Sequence, residues 1–161
     1  SNPFYGKVDI ERIGASGHSQ GGVGVINAVT DTKHAELYKA VFCVSPTNKE
    51  LSKALEWEYD ASKINVPILL LSSTGQGDEA LVVSGEQLQS IYDDISDTVP
   101  KIMARRNDAD HGEMLYCGDG YMTAWFLWQL QEDETAKKAF LGDRAEILDN
   151  PYYQDILTNL Q

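Results

Sequence analysis

The residues best suited to chemistry in this chain are a serine and the glycines that lie two positions before and after it. They form the pentad Gly17-His18-Ser19-Gln20-Gly21, which Gly22 follows. This G-x-S-x-G spacing is typical of a nucleophile elbow, a strained turn between a strand and a helix, where a side chain at either glycine would clash with a neighbouring element. The pentad therefore predicts Ser19 as a nucleophile.

The sequence on both sides of the pentad has the pattern that such a turn requires. Residues 12–16 predict a short strand, and residues 21–30 place four aliphatic side chains where they can form the inner surface of a helix. A helix that begins directly after the serine brings its positive end close to Ser19, where it favours negative charge on the reacting oxygen. The context strengthens a motif that is weak by itself.

An activated serine needs a base, and the chain has three histidines. His18 is the second residue of the pentad, so we predict that it points away from Ser19 and packs under the turn. His34 lies in a polar connection and is predicted to face solvent. His111 lies in a polar loop directly after a predicted strand, where an α/β sheet displays reactive groups at its carboxyl edge. We therefore predict His111 as the base.

The base needs an acid that orients it and stabilises its charged form. Asp78 follows the predicted strand of residues 66–73 and lies between Ser19 and His111 in the chain. The resulting order of serine, aspartate and histidine is the one expected of α/β-hydrolases. Glu79, one residue later, could serve equally and stays an alternative to Asp78.

The oxyanion of an acyl-transfer intermediate needs backbone N–H donors. We predict that the amide of Gln20 supplies one. The second donor normally comes from a loop upstream of the elbow, and only 18 residues precede Ser19. We therefore expect this chain to lack that donor together with the N-terminal strands of the fold.

Strands and helices alternate along the sequence. The predicted strands are residues 12–16, 39–45, 66–73 and 101–105, and the predicted helices are residues 21–30, 84–96, 121–131 and 133–141. Residues 142–161 are predicted to form a docked arm or a weak final helix. The alternation predicts an α/β fold with a largely parallel sheet flanked by helices, in a single domain of residues 1–161.

Composition excludes several classes of function. The chain has 25 acidic and 13 basic residues and a formal net charge of −12, which argues against nucleic acid or an anionic membrane as partner. Its longest aliphatic run is far shorter than the roughly 20 residues that span a bilayer. Cys43 and Cys117 have no metal-ligand spacing with the histidines, so we predict no metal site, no cofactor and a buried free thiol at Cys43.

On these motifs the chain resembles the C-terminal half of an α/β-hydrolase, near the branch of dienelactone-hydrolase-like and cutinase-like polyester hydrolases. The segments that carry the resemblance are Gly17-His18-Ser19-Gln20-Gly21-Gly22, Val66-Pro67-Ile68-Leu69, Asp78 five residues before Val83, Asp110-His111-Gly112, residues 121–126 around Ala124-Trp125, and Phe140-Leu141. The resemblance implies Ser19 as nucleophile, Asp78 as acid, His111 as base and the Gln20 amide as an oxyanion donor. The loop before Asp78 is longer than the cutinase-like pattern, and no C-terminal cysteine pair is present, so polyester hydrolysis is not inferred.

Together the residues and the resemblance predict an esterase-like or lipase-like serine hydrolase that cleaves small-molecule carboxylic esters through an acyl-enzyme intermediate. An acyltransferase or an amidase would use the same triad and stays open. The other alternative is a non-catalytic or partner-dependent half of such a module. A missing half-sheet would leave the elbow strand at an exposed edge, which invites pairing with an N-terminal segment or with a second copy.

Overall fold

The computed structural model describes residues 2–30 and 33–160, which form an α/β structure with one five-stranded sheet. Residues 1, 31, 32 and 161 lie outside the described residues. They include the two ends of the predicted domain and part of the polar connection before His34.

The sheet has the strand order β1-β2-β3-β4-β5. Its strands are β1 (Ile13–His18), β2 (Tyr38–Val44), β3 (Ile68–Ser73), β4 (Lys101–Arg106) and β5 (Tyr153–Thr158). The first four run parallel, and β5 pairs antiparallel with β4. The prediction of an α/β fold with a largely parallel sheet is confirmed, and β1, the strand before Ser19, lies at an edge.

Helices and short helical turns connect the strands along the chain. Within the described residues the helices are α1 (Gln20–Thr30), α2 (Lys49–Ala54), α3 (Gly85–Asp94), α4 (Met114–Cys117), α5 (Asp119–Gln131), α6 (Glu134–Lys137) and α7 (Glu146–Asp149). Short 3-10 turns lie at Ala35–Leu37, Ala61–Lys63 and His111–Glu113, and a π-helical turn lies at Asp78–Val82. No helix in residues 2–30 and 33–160 has the length and apolar character needed to cross a membrane.

The sheet is packed on both faces, because successive side chains of a strand point to opposite sides. Helices α1 and α3 cover one face, where the buried strand residues are Val41, Cys43, Ile68, Leu70 and Met103. Helix α5 covers the other face, where they are Ala40, Phe42, Leu69, Leu71 and Ala104. Burial on both faces explains why β2 and β3 are continuous apolar runs in the sequence. The predicted buried free thiol at Cys43 is confirmed.

The C-terminal segment docks on the sheet, as one of its two predicted alternatives states, but it does so as a strand. The weak final helix is limited to the four residues of α7, and the segment after it docks as β5 against β4. Residues 153–158 show no strict alternation of apolar and polar side chains, so the pattern did not predict a strand. The backbone groups at the edge of β4 need hydrogen-bond partners, and β5 supplies them. Asn159 extends the pairing, since its side-chain oxygen accepts from the Lys101 amide at 2.9 Å.

Truncation of Trp125 measures how much the packing of α5 on the sheet contributes to the free energy of unfolding. The Trp125 side chain is fully buried, and its ring lies edge-on to those of Trp128 and Phe140 at centroid distances of 5.4 and 5.2 Å. Its indole N–H makes no hydrogen bond within the described residues, so truncation removes packing alone. Trp125→Ala should lower the free energy of unfolding in urea by about 3–5 kcal/mol.

The matched control is Trp57→Ala, because Trp57 is 38% exposed. We expect this variant to lose about 1 kcal/mol or less. Equal losses in the two variants would contradict the packing described for α5.

Candidate active site

Ser19 alone connects β1 to α1, since the strand ends at His18 and the helix begins at Gln20. Its φ of 59° lies in the left-handed region, which is costly for a residue with a side chain. Hydrogen bonds hold this turn on both sides. The Ser19 amide donates to the Val44 carbonyl at 2.9 Å, and the Ser19 carbonyl accepts from the Gly22 amide at 2.9 Å. The strained strand-to-helix turn expected from the pentad is present.

Close packing at this turn explains two of its glycines. A Cβ atom on Gly17 would lie 2.0 Å from the carbonyl oxygen of Gly21, so any side chain at Gly17 would force the turn apart. A Cβ atom on Gly21 would meet no described atom within 4 Å, so the predicted clash at Gly21 is wrong. The crowded position after the serine is Gly22, where a Cβ atom would lie 3.0 Å from the Cα of Pro46.

Asp78 and His111 form the closest polar contact of the candidate site. The Nδ1 atom of His111 lies 2.6 Å from Oδ1 of Asp78, whose side chain is fully buried. An ionised carboxylate only accepts hydrogen bonds, so Nδ1 carries the proton and donates it to this bond. In the neutral imidazole Nε2 is then the unprotonated nitrogen, and it makes no hydrogen bond within the described residues. His111 is therefore prepared to accept a proton at Nε2.

The other oxygen of the Asp78 carboxylate is held by three donors. Oδ2 accepts from the amide of Ser73, from the hydroxyl of Ser73 and from the hydroxyl of Ser45, each at 2.7 Å. A buried charge is costly unless hydrogen bonds compensate it, and these donors provide the compensation. Sequence reasoning missed both serines. The available signal was their position, because each stands at the carboxyl end of a buried strand.

Glu79, the alternative acid, contacts Arg105 instead of His111. Its carboxylate is half exposed and forms an ion pair with the guanidinium of Arg105, a buried residue of β4. It also accepts a long hydrogen bond of 3.4 Å from the Gly85 amide. Of the two neighbouring carboxylates, Asp78 contacts His111.

Asp110 links the loop that precedes Asp78 to the loop that carries His111. Its Oδ1 atom accepts from the backbone amide of His111 at 2.8 Å and from that of Gly77 at 2.7 Å. Gly77 permits this approach, because a Cβ atom there would lie 2.6 Å from the same oxygen. The hydrogen bond from the His111 amide, followed by that from Gly77, lowers the pKa of Asp110 below its ordinary value.

His18 lies against His111. The two ring centroids are 4.3 Å apart with the planes tilted by 33°, and Nε2 of His18 lies 2.8 Å from the carbonyl oxygen of His111. The prediction that His18 packs under the turn did not foresee this contact, which brings the chain that carries Ser19 alongside His111. Ser19 Oγ makes no hydrogen bond to His111 in the described part of the chain, and such contacts often tighten only when substrate binds. His34 is exposed, as predicted.

Gln20 is the first residue of α1 and is exposed. The first amides of a helix have no acceptor within the helix, so the Gln20 N–H is available to an external oxygen next to Ser19. A cavity of about 290 Å³ lies on the α5 side of the turn. It is lined by His18 and mainly by apolar side chains, which include Phe42, Val44, Met114 and Met122.

Residues 2–30 and 33–160 contain no group of three or more histidine, cysteine, aspartate or glutamate side chains that could hold a metal ion. No protein-family model matches the chain, and a search of curated proteins returned no significant match. The candidate site therefore rests on its own geometry.

The buried hydroxyl of Ser45 should stabilise the folded protein through Asp78. Ser45→Ala leaves the charged Oδ2 atom with one donor fewer, and we expect the free energy of unfolding to fall by about 1–3 kcal/mol. Denaturant unfolding measures the change. Ser62→Ala is the matched control, because the exposed Ser62 hydroxyl also donates to an aspartate, Asp60, at 2.6 Å. That variant should change stability by about 0.5 kcal/mol at most, and an equal loss in both would contradict this account.

Protonation of Asp110 should lower the free energy of unfolding at acidic pH. Its folded-state pKa is lowered, so its stabilisation is complete above the ordinary carboxyl pKa of about 4 and is lost as pH falls through the folded-state value. The difference in unfolding free energy between wild type and Asp110→Asn should therefore be largest at neutral pH and shrink in acid. Asp108→Asn, in the same loop, is the control, since the Asp108 side chain makes no hydrogen bond within the described residues. A wild-type advantage over Asp110→Asn that grows in acid would refute the assignment.

Proposed function

We propose that this chain is the catalytic part of a serine hydrolase that cleaves carboxylic esters through an acyl-enzyme intermediate, on an α/β-hydrolase fold. The observation that carries the proposal is the 2.6 Å contact between His111 Nδ1 and the buried Asp78 carboxylate. That contact leaves Nε2 of His111 as the basic nitrogen beside the strained turn of Ser19. Support for the fold comes from the order of these residues, each of which follows a different parallel strand at one edge of the sheet.

The proposed reaction begins when Nε2 of His111 takes the hydroxyl proton of Ser19. Oγ of Ser19 then attacks the ester carbonyl carbon, and the Gln20 amide donates to the oxyanion that forms. When the intermediate collapses, the bond to the alcohol oxygen breaks and His111 returns its proton to that oxygen. His111 next deprotonates a water molecule, which attacks the acyl carbon. The bond from that carbon to Oγ of Ser19 breaks, His111 returns the proton to Oγ, and the carboxylic acid leaves. Asp78 keeps Nδ1 protonated and stabilises the imidazolium at both stages.

No cofactor takes part in this route, and the substrate is a small-molecule ester. The apolar cavity beside His18 supports an ester with at least one apolar substituent, since polar groups would lose hydrogen bonds to water on entering it.

The direct test is covalent labelling of the protein with a fluorophosphonate, followed by intact mass, together with turnover of a p-nitrophenyl ester. Wild type should gain one adduct, and Ser19→Ala should gain none and lose at least about 10⁴-fold in kcat/KM. Ser62→Ala, which removes an exposed serine hydroxyl, should behave like wild type. Turnover retained in Ser19→Ala would overturn the proposal.

A second candidate function is a half-module whose site is completed when another segment or a second copy pairs with β1. One observation favours it. Among the described strands β1 pairs with β2 alone, and its residues are less buried than those of β2 and β3, although it leads into Ser19. Light scattering coupled to size exclusion tests self-association. A monodisperse monomer that takes up the fluorophosphonate at Ser19 would refute this candidate.

A further inference from the structure

The backbone and ring of His111 are held at three places. Asp78 binds the ring at Nδ1, and Asp110 binds the backbone amide. The third contact comes from His18, whose Nε2 lies 2.8 Å from the His111 carbonyl oxygen. The proposed reaction uses the first of these contacts and gives His18 no part.

The chemistry of the third contact defines the state of His18. A carbonyl oxygen only accepts, so Nε2 of His18 must carry a proton and donate it. Burial is the main reason that the pKa of His18 is lowered. The hydrogen bond to the His111 carbonyl and the charge of Asp78 act in the opposite direction, but the net shift favours the neutral ring. His18 thus acts as an uncharged donor that does not repel the imidazolium formed on His111 during turnover.

The topology shows why such a contact is needed. His111 follows β4, whereas Ser19 follows β1, and β2 and β3 lie between these strands. Three inter-strand spacings separate the two strands by about 14 Å. Asp78 follows the adjacent strand β3, so it cannot by itself bring the base back over the sheet to the serine. His18 belongs to β1 and precedes Ser19 directly, and it contacts the base from the side of the nucleophile.

We propose that His18 is a positioning residue, which sets the base against the nucleophile through its Nε2–H bond to the His111 carbonyl. The inference rests on the proposed function of Ser19, Asp78 and His111. It adds a reason for a histidine at the second position of the pentad, where it connects the turn of the nucleophile to the loop of the base.

Variants at His18 should fold. The side chain is half-buried and borders the cavity of about 290 Å³, so a replacement meets open space on that side. Two replacements separate its two contacts. His18→Phe keeps an aromatic ring and removes the donor, whereas His18→Gln removes the ring and places an amide N–H where Nε2 stood.

The experiment measures kcat and KM for a p-nitrophenyl ester, with denaturant unfolding of each variant. We expect His18→Phe to lower kcat by about 10- to 100-fold with KM and stability little changed, because the base is misplaced rather than lost. His18→Gln should recover most of kcat. His34→Phe, at the exposed histidine, is the control and should match wild type. Unchanged kcat in His18→Phe would overturn the inference. It would also be overturned if the two His18 variants lost the same fraction of kcat and the same free energy of unfolding.

A spectroscopic readout separates this inference from the proposed function. Proton NMR can follow the downfield Nδ1–H signal of the His111–Asp78 hydrogen bond without any turnover. The signal should be broadened or lost in His18→Phe and retained in wild type and His18→Gln. If wild type neither turns over esters nor takes up the fluorophosphonate, the proposed function fails, and this pattern still decides whether His18 positions His111. An identical signal in all three proteins refutes the positioning role.

Discussion

The buried carboxylate of Asp78 organises the carboxyl edge of the sheet. A charge without access to water requires several donors, and these come from three different strand ends. Ser45 follows β2, Ser73 ends β3, and His111 follows β4. Satisfying one carboxylate therefore brings the ends of three neighbouring strands together. The same hydrogen bonds determine which nitrogen of His111 is protonated, so the requirement for a stable interior and the chemistry of the site have one physical origin.

The other half of the site depends on backbone geometry rather than on charge. Ser19 keeps a left-handed conformation because the β1–β2 pairing and the first turn of α1 hold both of its peptide groups. Gly17 allows the helix backbone to pass at a distance that no side chain would tolerate. The turn and the carboxylate cluster belong to different parts of the sheet, and the contact between His18 and His111 joins them. The turn thereby supplies both the proposed nucleophile and a contact with the proposed base.

The two edges of the sheet differ in how they are completed. At one edge, β5 pairs with β4, and Asn159 continues the pairing beyond the strand. At the other edge, β1 pairs with β2 alone among the described strands and remains partly exposed. Among the described strands, the one that leads into Ser19 therefore has backbone N–H and C=O groups without a strand partner along one side. The proposed activity and a pairing partner would both involve β1.

Sequence alone determined the features that depend on residues close together in the chain. The turn at Ser19 and the buried runs of β2 and β3 are local patterns of this kind. It also identified Asp78 and His111 as candidates but could not choose between Asp78 and Glu79. Tertiary structure decided that Asp78 contacts His111 and that Ser45 donates to Asp78. It also decided that His18 contacts His111 and that the C-terminal segment pairs as β5. These contacts join residues 33 or more positions apart, such as the 93 that separate His18 from His111. Their formation depends on how the strands are ordered in the sheet, and no local pattern encodes that order.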